Sequence, residues 1–321
     1  MQFIREPLIA VSIVWGLLAR LRGSIRRRWE GADPNRSLKR HAVYVHFHPE
    51  GVVADFVAAQ LREFSRLGFR ITFVSNSPTI DDQLITILSP LCREIILRRN
   101  TGYDFGAYRD GIMSIPDLPS TQCLVLANDS VYGPLFPLDE LLGRCDPEVF
   151  DVWGATDSEE IAYHLQSYFL VFYGRAIKSR AFWRFWFWFP NIDSRKFVIK
   201  CGEIGLTQRL VKAGLRVGAV YKCVDAEIRK ARKISSVEAL PRDPQIEAFL
   251  ALIETRKPTM FNPTHFFWEE LVIYERYPFL KRDLIRENYW KVPFGQPWHK
   301  VIVEHTSYDV AMIDKHITHQ R

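Results

Sequence analysis

A chain of 321 residues that is 47% hydrophobic can bury one large core or two smaller ones, and is globular. Its five cysteines, Cys92, Cys123, Cys145, Cys201 and Cys223, are odd in number, scattered and free of any CxxC pair. That excludes a disulfide framework and a structural zinc site and fits a reducing cytoplasm. The net charge of +6 points to an anionic partner, whether phosphate ester, membrane surface or nucleic acid, without choosing among them.

The first element is the apolar run Pro7–Ala19, followed by Arg20, Arg22, Arg26, Arg27 and Arg28. It falls short of the roughly 20 apolar residues of a membrane span. Its charges follow the apolar stretch, the reverse of a signal peptide. Two readings stay open for residues 1–36: an interfacial helix, with Trp15 and the arginines on an anionic bilayer, or a helix packed on the domain. The stretch Gly31–Asn35 (GADPN) reads as a linker.

From His41 strands and helices alternate. Ala42–Phe47 is a strand, and Val53, Phe56, Val57, Leu61 and Phe64 mark a helix stopped by Gly68. Phe69–Ser75 is the second strand, and Thr79 with Asp82 resembles a capping box opening a helix. Glu94–Leu97 returns as a strand. Phe105, Tyr108, Ile112 and Ile115 then form the stripe of a third helix, and Cys123–Ala127 is the fourth strand. This order predicts an α/β fold with a mostly parallel, Rossmann-type sheet flanked by helices. Such sheets bind ligands at the carboxyl ends of their strands, and here each strand ends in polar residues. His46 follows the first, Asn76 the second and Asn100 the third, while Asn128, Asp129 and Ser130 follow the fourth. Polar residues also simply begin loops.

The stretch RNTGYDFGAYRDG precedes the third helix. Asp104 reads either as the cap of a helix starting at Phe105 or as a donor-site group, and Arg109, one turn on, is placed to reach a phosphate. The chain has no GxGxxG after the first strand and no GxxxxGK[ST], so dinucleotide and P-loop readings lose their main support.

RRNTGYDFGAYRDG at 98–111, LANDSVYGP at 126–134, HLQSYFLVF at 164–172, GEIGLTQRL from Gly202 and NPTHFFWEELV at 262–272 together resemble the rhamnan synthesis F family of bacterial polysaccharide and O-antigen assembly. The resemblance implies a GT-A-like glycosyltransferase fold. It also implies inverting transfer of a sugar, commonly rhamnose from dTDP-L-rhamnose, to a lipid-linked glycan at the cytoplasmic face of the inner membrane. In GT-A enzymes a short acidic motif after the fourth strand holds a divalent cation, Mg2+ or Mn2+, on the donor diphosphate. Asn128-Asp129-Ser130 stands there, with Asp129 as its single carboxylate. On this reading His46, Asn76, Asn100, Asp104, Arg109, Asn128 and Ser130 face the nucleotide-sugar donor and Asp129 the metal. Glu203, opening a helix Glu203–Ala213, is the general base that takes the acceptor's proton, unless it only complements the helix dipole. Asp157, Glu159 and Glu160 are the reserve acids.

HLQSYFLVF alternates as a strand that offers His164, Gln166 or Ser167 to acceptor hydroxyls. In AFWRFWFWFP, Phe182, Phe185, Trp186 and Phe189 form one helical stripe, read as core. His46, His48 and Glu50 lack the third ligand and spacing of a zinc site. Ala226–Lys233 reads as a solvated basic segment. Asn262–His265 is a turn with Thr264 as cap, leading into an aromatic helix. No interleaved basic and aromatic module points to nucleic acid. The expected division is 1–36 as an N-terminal helix, 37–225 as the catalytic domain and 226–321 as a helical C-terminal extension on the acceptor side. The competing function is a non-catalytic nucleotide-sugar-binding or scaffold component of a glycan assembly complex.

Overall fold

Long runs buried on both faces, such as RHAVYVH and CLVLAN, become central strands because only a sheet covered on both sides hides them entirely. The computed structural model describes residues 23–257 and 260–319, so Pro7–Ala19 lies outside the described residues. Among the described residues eleven strands run in chain order: β1 (Ile25–Glu30), β2 (Arg40–His46), β3 (Arg70–Ser75), β4 (Cys92–Arg98), β5 (Cys123–Asn128), β6 (Val131–Tyr132), β7 (Val152–Ser158), β8 (His164–Leu165), β9 (Phe169–Tyr173), β10 (Val217–Tyr221) and β11 (Leu280–Lys281).

The main sheet has the order β1-β4-β3-β2-β5-β9-β7-β10, with β8 paired to β7. The pairs β4–β3, β3–β2, β2–β5 and β7–β10 are parallel. Only β9, between β5 and β7, β1 at the edge and the short β8 run antiparallel. This is the mostly parallel, helix-flanked sheet the alternation predicts, and it gathers the carboxyl ends of β2 to β5, β7 and β10 along one edge.

Apolar side chains pack on both faces. Val43 and Val45 meet Phe105, Tyr108, Ile112 and the stripe Phe182, Phe185, Trp186 and Phe189, so the aromatic cluster is core, as its spacing predicts. Ala42 and Tyr44 face Phe56, Leu61 and Phe64 of the helix Asp55–Arg66. The same core takes in Val237, Phe249, Trp268, Ile302 and Ile313. The C-terminal extension therefore shares its apolar interior with the sheet, and the short ribbon β6–β11 joins the two at the end of β5.

Several local expectations give way to packing. The basic residues Arg26–Arg28 lie on strand β1, not on a continuing helix, because that segment supplies the edge partner of β4. GADPN is no loose linker: Gly31 N–H bonds Arg93 O at 2.9 Å and Asp33 pairs with Arg70 at 2.6 Å. Asp81, not Thr79, caps the helix Asp82–Leu88 by accepting from Gln83 N–H. The basic run from Ala226 belongs to the helix Ala226–Glu238, where Arg229 and Lys233, spaced i and i+4, both turn inward. Lys233 is matched by Glu269, and Arg229 donates to Lys222 O at 2.8 Å. Asn262, not Thr264, caps the helix Pro263–Phe266, because its side-chain oxygen is the one that accepts from Thr264 N–H. Among the described residues no helix is long and apolar enough to cross a membrane.

Candidate active site

At the carboxyl edge of the sheet lies a cavity of about 660 Å³. Four parts of the chain wall it: the start of the helix Tyr103–Met113, the end of β5, the β7–β9 connection with a helical turn behind it, and the C-terminal extension.

The helix Tyr103–Met113 opens on Gly102, whose φ of 73° suits glycine and whose N–H bonds Asp193 at 2.7 Å. Asp104 is therefore inside the first turn and caps nothing. Its carboxylate faces the cavity and accepts from Asn128 Nδ2 at 3.0 Å. Asn128 is fixed from its other side, its Oδ1 accepting from Ser130 Oγ at 2.6 Å and Ser130 N–H at 3.1 Å. Burial first, then the charges of Asp129 and Glu203, push the Asp104 carboxyl up to about 7.

Glu203 does not open a helix. A continuous helical run begins at Arg195, capped by Ser194 accepting from Phe197 N–H, and passes through a wide π turn, Val198–Ile204, before the helix Gly205–Lys212. Glu203 sits within that turn, so the helix-dipole account of it falls away. π turns of this kind are often found at functional sites. A side chain at Gly202 would come within 3.0 Å of the Phe105 ring; glycine here lets the turn close on the helix that carries Asp104. Glu203 Oε1 accepts from Ser167 Oγ at 2.5 Å and Ser167 N–H at 3.1 Å.

His164, Gln166, Ser167 and Tyr168 all line the cavity. HLQSYFLVF is therefore not one alternating strand: β8 ends at Leu165 and β9 starts at Phe169. The break is held open by hydrogen bonds, with Thr156 Oγ1 on Gln166 at 2.5 Å and Tyr108 OH on Ser167 O at 2.9 Å. Of the reserve acids only Glu160 reaches the cavity. Asp157 is buried on β7 and accepts from Cys223 N–H at 2.5 Å.

The remaining predicted donor residues are not in this wall. His46 is buried between Ser75 Oγ at 3.2 Å and Val52 O at 3.0 Å, and burial lowers its imidazole to about 4. Asn76 accepts from Arg98 at 2.6 Å. Arg109 does not reach toward a phosphate; it pairs with Asp110 at 2.7 Å and donates to Phe189 O at 3.0 Å. Arg98, at 2.7 Å, shares the same Asp110. Arg98, Arg109 and Asp110 of RRNTGYDFGAYRDG thus form a buried scaffold behind the helix that carries Asp104. Asn100 is exposed and lies outside the cavity wall.

Asp129 also turns away. Its carboxylate pairs with Arg282 at 3.0 Å and accepts from Phe47 N–H at 3.3 Å, while Arg282 donates to Asp129 O at 2.6 Å. A carboxylate already neutralised by a guanidinium is a poor ligand for a hard cation. Among the described residues no three His, Cys, Asp or Glu side chains cluster to hold a metal. The groups present do not fit the divalent cation expected at Asp129.

The cavity wall also holds residues that the sequence patterns do not single out. Lys281 brings its ammonium to 3.4 Å from Ser130 Oγ and 4.3 Å from the centre of the Tyr168 ring. His265 Nε2 lies 3.1 Å from Asp283. Burial works against the Asp283 carboxylate, yet His265 and the charge of Lys281 hold it down at about 2. Tyr289 and Trp290 stand at the rim, 69% and 47% exposed. The turn that presents them is locked by paired Asn288–Val292 hydrogen bonds of 2.9 Å each. His265 lies within NPTHFFWEELV, so a signal for it is present; Lys281 ends the two-residue strand β11, which no sequence pattern marks.

A Rossmann-type sheet with a cavity at its carboxyl edge defines an α/β fold whose ligand site lies where open parallel sheets hold one. The description Rhamnan synthesis protein F matches residues 71–259, and the chain belongs to that family. It is 29% identical over 226 residues to the uncharacterized protein y4gN of Sinorhizobium fredii, covering 69% of this chain and 57% of that one. It is 28% identical over 221 residues to the virulence protein VirA of Vibrio anguillarum, covering 65% and 66%. The chain thus spans less than two thirds of the length of these curated relatives. Among solved structures, a cytidylyltransferase from Leptospira borgpetersenii overlaps 70% of this chain and 98% of its own, at 10% identity and a TM-score of 0.31.

Proposed function

We propose that the chain is a glycosyltransferase that moves a sugar from a nucleoside diphosphate to a glycan hydroxyl, with L-rhamnose from dTDP-L-rhamnose as donor and inversion at the sugar. The acceptor is a lipid-linked polysaccharide or O-antigen glycan, met at the cytoplasmic face of the inner membrane. The observation that carries this reading is the pairing, in one cavity of a family member, of two carboxyl groups, Asp104 and Glu203, with the half-buried ammonium of Lys281.

In the reaction the acceptor oxygen forms a new bond to the sugar's anomeric carbon. The bond from that carbon to the diphosphate breaks, and its electron pair leaves with the diphosphate. The acceptor proton passes to Glu203, whose Oε1 is fixed by Ser167 and whose other oxygen has no hydrogen-bond partner among the described residues. Asp104, oriented by Asn128, faces the donor side, and His164 and Gln166 face the acceptor. Tyr289 and Trp290 offer apolar ring faces on which sugar rings of the incoming glycan can stack. The test is release of dTDP from dTDP-L-rhamnose in the presence of a lipid-linked acceptor. Wild type is expected to release it and Glu203→Gln to lose nearly all turnover; equal rates would remove Glu203 from the chemistry. Donor binding without turnover across several acceptors would favour the scaffold role.

A further inference from the structure

We infer that the donor diphosphate is held by Lys281 of the C-terminal extension, in the position that a divalent cation would otherwise occupy beside the Asn128-Asp129-Ser130 turn. This rests on the reading of the cavity as a sugar-nucleotide site and adds which charge neutralises the leaving group.

The argument begins with the ribbon. β11 pairs antiparallel with β6, Lys281 opposite Val131 and Leu280 opposite Tyr132, and Arg282 N–H bonds Ser130 O at 3.1 Å. Neighbouring residues leaving a strand project to opposite sides, so the two cations part company here. Arg282 goes to Asp129, closing the one carboxylate of the turn. Lys281 goes into the cavity, toward Ser130.

Lys281 is then surrounded but not matched. Asp104, Glu203 and Asp283 all act on it through space, yet among the described residues none comes within ion-pair distance. Its one hydrogen-bond contact is the 3.4 Å approach to Ser130 Oγ, supplemented by the face of Tyr168. Burial depresses the ammonium's basicity, the mark of a charge drawn out of water without full recompense. A diphosphate entering at the end of β5 would supply the missing counter-charge, and the ammonium would strengthen its hold as the bond to the sugar breaks. Arg195 lines the same cavity from the start of its helical run, exposed, as a second cation for the outer phosphate. A metal at this turn would have to displace Arg282 from Asp129 and lie near a lysine of like charge.

The inference is tested by calorimetric binding of dTDP to the full chain, in EDTA and in Mg2+ or Mn2+, with thermal melts as the folding control. Wild type is expected to bind equally, within about twofold, in all three. Lys281→Met should weaken binding by about tenfold or more, the scale of one charge-assisted contact, and reduce its salt dependence, with Lys281→Arg recovering part of the loss. Binding that requires Mg2+ or Mn2+ and is untouched in Lys281→Met would overturn the inference and leave the sugar-nucleotide reading standing. Should wild type bind neither dTDP nor UDP under any of these conditions, that reading falls and the inference with it.

Discussion

Two stretches of the same sheet edge look alike in sequence and differ in space. The ends of β2 and β3 carry His46 and Asn76, and each is consumed by neighbours: Ser75 and Val52 for the histidine, Arg98 for the asparagine. The end of β5 and the β7–β9 connection carry Asn128, Gln166 and Ser167, which are also hydrogen-bonded, to Ser130, Thr156 and Glu203 in turn, yet set around an open cavity with Asp104, Glu203 and Lys281. Polar residues at strand ends become a site only where the chain leaves room and keeps some charge unmatched. Where internal partners satisfy them, they are scaffold.

The comparison breaks most visibly at Glu203. Glu203→Gln should lower turnover by about a thousandfold, within the range for loss of a general base, while dTDP affinity measured by calorimetry stays within about twofold. At the closed end, Arg109→Met should leave Asp110 half-paired in the interior. We expect a loss of about 3 kcal/mol in denaturant unfolding, with the dTDP affinity of the folded protein unchanged. A parallel loss of affinity would make Arg109 part of the site after all.

A third variant sharpens the contrast through pH. Asp104 has a folded-state pKa near 7 against an ordinary 3.8, so the folded protein holds a proton there that the unfolded chain releases. The stability linked to that proton is full below about pH 4 and is lost as pH rises through 7. Asp104→Asn should therefore stabilise the fold at pH 8 by up to about 4 kcal/mol, with the gain fading on acidification toward pH 4. A flat difference across that window would mean that the carboxyl is not strained by its neighbours. Smallest of all, Asn100→Ala, at an exposed position outside the cavity, should change stability by less than about 0.5 kcal/mol and leave binding alone.

Much of the frame was legible because it is local. Alternation and helical spacing located the parallel strands, the stripe Phe105–Tyr108–Ile112–Ile115 and the aromatic core of Phe182, Phe185 and Trp186. Asp104, Asn128, Ser130, His164, Gln166, Ser167 and Glu203 do converge on one cavity. What the sequence hid depends on contacts between distant segments. Helical spacing says which way Arg109 faces, but not that Phe189 O, 80 residues on, waits there beside Asp110. Nothing beside Asp129 in the sequence marks its partner, Arg282, 153 residues away. Lys281 is hidden for the same reason: the pairing of β6 with β11 brings it to Ser130.

The most direct test of the account is a crystal structure of the chain with dTDP bound. The diphosphate should lie at the end of β5, within hydrogen-bonding distance of Lys281 Nζ, with Arg282 still on Asp129 and Glu203 facing the space beyond. Density for the nucleotide away from this cavity, or a cation on Asp129 with Arg282 swung aside, would contradict it.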